Sequence, residues 1–205
     1  MTKALLIFPH QLFSHHPGLD KRPDRICLIE DTLFFGDRQY PMRFHKQKLW
    51  LHRASMARYA KRLEGLKPAF EYVRYEAGKP LLKPTIARLA KAGVTEIVAC
   101  DPVDFILEKR LKAYCEDNEL ESTLITTPLS LNSPAENRTW RDDNKSWFQA
   151  EFYKRQRRHF DVLMDGDKPE GGKWNYDHDN RKPAEADLFQ PKVPRFKPDD
   201  VTREV

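Results

Sequence analysis

Continuous apolar runs of strand length, separated by segments of helical periodicity, predict an α/β fold for residues 3–130: a doubly wound, mainly parallel five-stranded sheet. Three observations carry this reading. The runs are apolar on successive residues, as in strands buried on both faces, and do not alternate with polar ones. Helical segments lie between them, which suits right-handed crossovers. The alternation stops near Thr126 and gives way to a polar stretch, one helix and an irregular, proline-rich extension. The chain is therefore expected to divide into an α/β domain at 1–130 and a linking, extended segment at 131–205.

The strands are read at 3–8, 25–30, 70–74, 96–99 and 122–125. Between the second and third, residues 46–63 set Leu49, Met56, Tyr59 and Leu63 along one helical stripe, and Gly65 stops it. Residues 84–92 form a helix that tolerates Pro84 in its first turn and ends at Gly93. A third helix, 105–118, repeats Phe105, Leu107, Leu111, Tyr114 and Cys115 at near-helical intervals. The polar residues from 126 to 144 read as a linker. In the helix that follows, 146–160, Trp147, Phe148, Phe152 and Tyr153 pack while Lys154, Arg155, Arg157 and Arg158 face outward. After Met164 no regular element longer than a turn is expected, and such a tail suits a strap laid over a neighbouring domain.

Of the 205 residues, 40% are hydrophobic, enough for a core, while 33% are charged and fifteen are proline, which implies a substantial irregular part. The net charge of +5 is compatible with a polyanionic partner but too modest to establish one. No apolar run approaches the ~20 residues that span a bilayer. Lys3 leads straight into a strand-length run with no cleavage-site pattern. A cytoplasmic protein with no membrane partner is expected. Cys27, Cys100 and Cys115 have neither metal-site nor redox-pair spacing and read as small core residues. The pair His15-His16 has no matching carboxylate or thiol, so no zinc site is assigned there.

In open α/β sheets ligands bind beyond the carboxyl ends of the strands, where the strand order reverses. Three segments converge there: Pro9-His10-Gln11-Leu12 after the first strand, Glu30 to Phe35 after the second, and Asp101-Pro102 with Asp104 after the fourth. Acids, amides and two exposed-looking aromatics, Phe34 and Phe35, suit a flat heterocycle. The basic segment His45, Lys46, Lys48, His52 and Arg53 opens the long helix and reads as a solvated face or a phosphate contact.

A second constellation lies far downstream, in Gly171-Gly172-Lys173-Trp174-Asn175-Tyr176-Asp177-His178-Asp179-Asn180-Arg181. Paired glycines with aromatics, amides and charges exceed what a connecting loop requires. With Phe152-Tyr153, Arg155, Arg158, Leu163-Met164 and Pro169 before it and Pro183, Asp187-Leu188 and Pro191 after it, this run resembles the iron–sulfur branch of the photolyase/cryptochrome superfamily. Pro9-His10-Gln11-Leu12 and His45 to Leu49 extend the resemblance, which covers the whole chain.

The resemblance implies a Rossmann-like antenna domain with its strap, the first half of a chain about twice this length. FAD and an iron–sulfur cluster would belong to a helical domain beyond Val205. It implies a lumazine-type antenna held by His10, Gln11, Glu30, Phe35 and Asp101, although relatives carry Gly-Asp where Pro9-His10 stands here. It also implies that Lys173, Trp174, Asn175, Asp177 and Arg181 face damaged DNA, with a metal-assisted role for Asp177, and that no catalytic residue lies in this chain. Light-driven repair of (6-4) or related pyrimidine dimers is the parent activity implied. The alternatives are half of a sensory cryptochrome, a free-standing lumazine- or nucleotide-binding α/β protein, and a nucleic-acid-binding module resting on charge alone.

Overall fold

The computed structural model describes residues 1–183 and 187–205. Residues 184–186 of the extension lie outside that description. Two compact units form, one from Met1–Ser130 together with Lys197–Val205, the other from Leu131–Phe196. The last nine residues, grouped with the extension in the sequence reading, thus belong to the first unit.

In the first unit, β1 (Lys3–Ile7), β2 (Arg25–Ile29), β3 (Ala69–Val73), β4 (Glu96–Cys100) and β5 (Glu121–Ile125) form a sheet in the order β3-β2-β1-β4-β5. Every pairing is parallel, with Leu5 beside Ile26 on one side and Val98 on the other. The α/β, doubly wound sheet expected from the apolar runs is what forms. Side chains alternate between two cores, which is why the central strands are apolar on consecutive residues. Ala4, Leu6, Phe8, Cys27 and Ile97 face Ile86 and Leu89 of α3 (Leu82–Lys91) and Leu107, Leu111 and Cys115 of α4 (Phe105–Glu116). Leu5, Ile7, Ile26, Leu28 and Val98 face Met56, Tyr59, Ala60 and Leu63 of α2 (Lys46–Leu63).

The caps are local and sequence-encoded. Asp104 accepts from Leu107 N at 2.8 Å to start α4, and His45 Nδ1 accepts from Gln47 N at 3.2 Å to start α2. A four-residue helix not foreseen in the sequence, α1 (Thr32–Phe35), follows β2. It turns Phe35 inward, so that residue is buried where the sequence reading left it exposed.

The tail corrects a second expectation. After Met164 no regular element longer than a turn is expected, yet the five-residue helix α7 (Asp200–Glu204) packs on α2. Val201 is buried, Trp50 Nε1 donates to Thr202 O at 3.1 Å, and Arg58 pairs with Asp199. The second unit holds α5 (Pro134–Asp143), α6 (Gln149–Phe160) and a two-stranded hairpin, β6 (Met164–Asp165) with β7 (Lys168–Pro169). The segment 126–144, read as a linker, contains α5. Its signal was a capping box, in which Ser133 Oγ accepts from Glu136 N at 3.2 Å and Glu136 accepts from Ser133 N at 2.6 Å. No residue of α5 is buried, so the apolar periodicity that reveals other helices is missing.

Candidate functional site

Because β2 and β3 run to one side of β1 and β4 and β5 to the other, the strand order reverses between β1 and β4. Gln11 sits there, fully buried, and its Nε2 donates to Cys100 O at 3.1 Å and Asp101 O at 3.4 Å. Both partners can only accept, which fixes the amide and leaves Oε1 as a buried acceptor with no donor among the described residues. His10 lies flat on Phe34, ring centroids 4.9 Å apart and planes 16° apart, with Nε2 2.9 Å from Pro102 O. Desolvation lowers its pKa, favouring the neutral ring. The carbonyl then requires the proton on Nε2, and Nδ1 becomes a second buried acceptor without a donor. His52 Nε2, across Phe34, is likewise buried and unpartnered.

The other residues foreseen here are tied more firmly. Glu30 is fully buried. Its Oε1 accepts from Tyr72 Oη at 2.6 Å and Arg53 Nε at 3.2 Å, and its Oε2 from Arg53 Nη2 and Tyr75 N, both at 2.7 Å. Four donors satisfy the carboxylate within the protein. Phe35 stacks against Tyr75 at 5.6 Å and 23°, with the Arg53 guanidinium 5.5 Å above its face. Phe35, Tyr75, Arg53, Lys46, Leu49 and Trp50 line a cavity of about 320 Å³. Asp101 Oδ1 accepts from Val103 N at 2.8 Å, where the backbone takes a φ of 51°. Arg53 was part of the basic face in the sequence; four residues beyond Leu49 it shares that residue's stripe on α2, the one signal that it points inward.

A second cleft, of about 250 Å³, opens at the starts of α1 and α3. Asp37 closes its floor, accepting from Arg110 Nη1 at 2.6 Å and Nη2 at 3.0 Å, and Arg110 holds its carboxyl well below the usual carboxylate range. Asp31 lines the same cleft, and burial pushes its carboxyl up to about 6. Asp31 falls in the Glu30 to Phe35 segment expected at the strand ends, whereas no spacing in the sequence marks Asp37.

In the second unit the loop after β7 closes over α6. The sequence reading turned Arg157 outward with its basic neighbours, but it is buried. Its Nε donates to Val162 O and its Nη1 to Trp174 O, each at 3.2 Å, and its Nη2 to Leu163 O. A planar group with five donors is the side chain able to satisfy three converging carbonyls. The Trp174 ring lies 5.3 Å from the Arg157 guanidinium and 4.5 Å from that of Arg158. Gly171 takes φ +71°, and a Cβ there would run into the Tyr176 hydroxyl, which donates to Gly171 O at 3.2 Å. Lys173 Nζ sits 5.9 Å above the Tyr176 ring.

Tyr153, Arg157, Trp174, Asn175, Tyr176 and Asp177 thereby line a cavity of about 740 Å³. Asp177 accepts from Asn180 Nδ2 at 3.4 Å, and Arg181 is exposed further along the loop. Among the described residues no three His, Cys, Asp or Glu side chains gather into a metal-holding group, so Asp177 has no such companions. The three thiols are buried, and desolvation raises them to about 12 for Cys27 and about 11 for Cys100 and Cys115. His16 Nδ1 accepts from Gly18 N as a turn cap. Among the described residues no helix is long and apolar enough to cross a membrane.

Known proteins now bear on these sites. The chain is 30% identical over 214 residues to a (6-4) photolyase of Agrobacterium fabrum, and the match takes in 100% of this chain and 41% of that protein. It is also 30% identical over 195 residues to an uncharacterized protein of Acanthamoeba polyphaga mimivirus, covering 92% of this chain and 98% of that one. The chain thus spans about two-fifths of the first relative and nearly all of the second. Residues 5–205 match the family of deoxyribodipyrimidine photo-lyase-related proteins, and this chain belongs to that family.

Proposed function

We propose that this chain is the antenna-bearing α/β half and strap of a photolyase-related flavoprotein. In this reading the parent assembly repairs (6-4) or related pyrimidine dimers with light and reduced FAD. FAD and an iron–sulfur cluster sit in a helical domain outside these residues, and this chain contributes no catalytic group. Similarity to the (6-4) photolyase along the whole chain supports the family role. Its buried, dispersed thiols do not suit a cluster.

The observation that carries the antenna role is at the strand-order reversal. Two buried acceptors there, Gln11 Oε1 and His10 Nδ1, lack donors among the described residues, and a separate cavity of about 320 Å³ beyond the end of β2 is walled by Phe35, Tyr75 and Arg53. A lumazine offers an imide N–H and a flat face, the groups these residues lack. Phe35 and Tyr75 supply the apolar walls, while Glu30 acts through Arg53, holding the guanidinium against the cavity. Asp101 keeps the β4 turn, and with it the carbonyls that orient Gln11, in place. A bound lumazine would absorb violet light and pass excitation to the flavin.

Titration with 6,7-dimethyl-8-ribityllumazine tests this. A shifted absorption band and quenched fluorescence are expected, weakened about tenfold in Phe35→Ala by loss of a stacking face. Unchanged spectra at millimolar protein would remove the antenna from the reading.

The Gly171–Arg181 loop is the lesion-side element in this proposal. Lys173, Asn175, Asp177 and Arg181 are exposed, with Trp174 half-buried beneath two guanidinium groups, a mix suited to an extruded base and its phosphates. Asp177 would join a metal only with ligands from DNA or another domain. The experiment is to combine the chain with a photolyase-related FAD domain and assay an irradiated oligonucleotide under blue light. Repair supports the reading, and binding without repair favours a sensory role. A second reading has an observation of its own. It is a free-standing α/β chromophore-binding protein without catalysis, and the support for it is that this chain covers 98% of the mimivirus relative.

A further inference from the structure

The cleft beside Asp31 lies on the opposite face of the sheet from the Phe35 cavity, at the starts of α1 and α3. It shares none of the residues assigned above to the antenna. Its lining presents two unmet needs. Asp31 is 1% exposed; one carboxylate oxygen accepts from Leu33 N at 3.0 Å, and the other has no partner among the described residues. A carboxylate oxygen that lines a cleft without a protein partner can accept from a ligand hydroxyl or amine. The other need belongs to α3, ten residues long, which starts at Leu81 with no side-chain cap among the described residues. Pro84 has no N–H, so the free donors of the first turn are the Leu82 and Lys83 amides, and both residues line the cleft. An uncapped helix start carries partial positive charge and favours an anion.

The remaining walls agree with that division. Arg38 is exposed on the rim and has no carboxylate partner among the described residues. Lys79 pairs with Glu76 and Lys83 with Asp117, which leaves both near the mouth but partly neutralised. Asp37 and Arg110 neutralise each other in a bidentate pair and form a rigid floor. One end of the cleft thus offers an acceptor and the other offers donors with positive charge. At about 250 Å³ it is smaller than the roughly 300–1,000 Å³ of sites for larger organic ligands.

We infer that this cleft is a binding site for a small phosphorylated polyol, such as a sugar phosphate or the ribose-phosphate end of a nucleotide. Asp31 takes two neighbouring hydroxyls, while the first-turn amides of α3 and Arg38 take the phosphate. An acidic residue just beyond β2 gripping ribose hydroxyls is the arrangement by which doubly wound folds hold nucleotides, reached here without a glycine-rich turn. The inference is independent of the antenna assignment, since the two sites share no residue.

The test is a titration of the whole chain with ribose 5-phosphate and, separately, with inorganic phosphate, read by calorimetry and by the amide resonances of Leu82 and Lys83. Saturable binding of ribose 5-phosphate that moves both resonances is expected. Asp31→Asn should weaken it about tenfold, the worth of hydrogen bonds to a charged partner, while leaving inorganic phosphate binding unchanged. Arg38→Glu, an exposed change that leaves the core untouched, should weaken both ligands. Phe35→Ala should weaken neither. Absence of saturation at millimolar ribose 5-phosphate overturns the proposal. So does equal binding of both ligands with no response to Asp31→Asn, which would mark an adventitious ion only. Unchanged binding in Arg38→Glu overturns it as well, and that arm stands even if Asp31→Asn fails to fold.

Discussion

The sheet edge and the Gly171–Arg181 loop both gather aromatics and charge around a buried ionic group, but they are held in opposite ways. At the sheet edge the buried group is an anion, Glu30, whose donors arrive from a helix and a neighbouring strand 23 to 45 residues away. In the loop it is a cation, Arg157, whose acceptors are three backbone carbonyls within 17 residues. The first is an interlock of tertiary structure, so disturbing it should disturb the fold of its unit. The second is a local clamp, so disturbing it should loosen one loop and leave the rest of the chain in place.

The largest effect is expected at Glu30. Glu30→Leu leaves Arg53 without its counter-charge and Tyr72 without its acceptor, beneath a packed Phe35–Tyr75 pair. Arg53 keeps 37% of its side chain exposed, which tempers the loss of the pair, but Tyr72 Oη and Tyr75 N also lose their acceptor, and together these cost about 3 kcal/mol. Denaturant unfolding followed by far-ultraviolet circular dichroism measures it. A loss below ~1 kcal/mol would mean that the interlock contributes little and that the two regions differ less than their geometry indicates.

Arg157→Ala comes next and should act locally. Three carbonyls lose their donor, each worth about 1 kcal/mol, and the Trp174 ring loses a cation above its face. Limited tryptic proteolysis should show cleavage after Lys173 accelerated about tenfold or more, with hydrogen exchange of β1 and β4 unchanged. Exchange rising in the sheet as well would break the contrast between clamp and interlock.

These two residues also show what the sequence makes legible. Five strands and the two-faced core can be read from it because each depends on a run of neighbouring side chains. The Asp104 cap and the Gly93 stop are equally local. The role of Glu30 depends on parallel register, which sets Ile29 beside Val73 and so delivers Tyr72 and Tyr75 to the end of β2. No local pattern carries that information. Arg157 misleads for a different reason. On an exposed amphipathic helix an arginine reads as solvated, and only the return of a loop with three unsatisfied carbonyls turns it inward. Phe35 is hidden from the sequence similarly, since its burial follows from a single helical turn, α1, that places it against Tyr75.

The third expectation sharpens the comparison within the first unit, by setting Asp31 against its neighbour Glu30. Glu30 is buried with four donors; Asp31 is buried with one. Desolvation therefore dominates at Asp31 and raises its carboxyl from 3.8 to about 6. The folded chain then binds this proton more tightly than the unfolded chain. Its contribution to stability is full below pH 4 and is lost as pH rises through 6, up to about 3 kcal/mol in all. Asp31→Asn removes the ionisation, so the difference in unfolding free energy between variant and wild type should grow in the variant's favour from pH 4 to pH 7. Parallel profiles across that range would show that Asp31 is solvated enough to ionise normally.

The smallest effect tests whether the tail belongs to the interlocked kind of structure or to the clamped kind. Trp50→Phe removes one hydrogen bond, from Nε1 to Thr202 O, while keeping an aromatic ring at that position of α2. A single neutral hydrogen bond at a half-exposed site is worth about 1 kcal/mol or less. The Asp199 cap and the buried Val201 remain to hold α7. Hydrogen exchange in α7 should quicken by no more than about fivefold, the equivalent of that energy, with denaturant stability of the sheet unchanged. Complete loss of protection in α7 would show that the indole bond alone holds the tail, making it a clamp like Arg157. A loss of global stability would place it with Glu30.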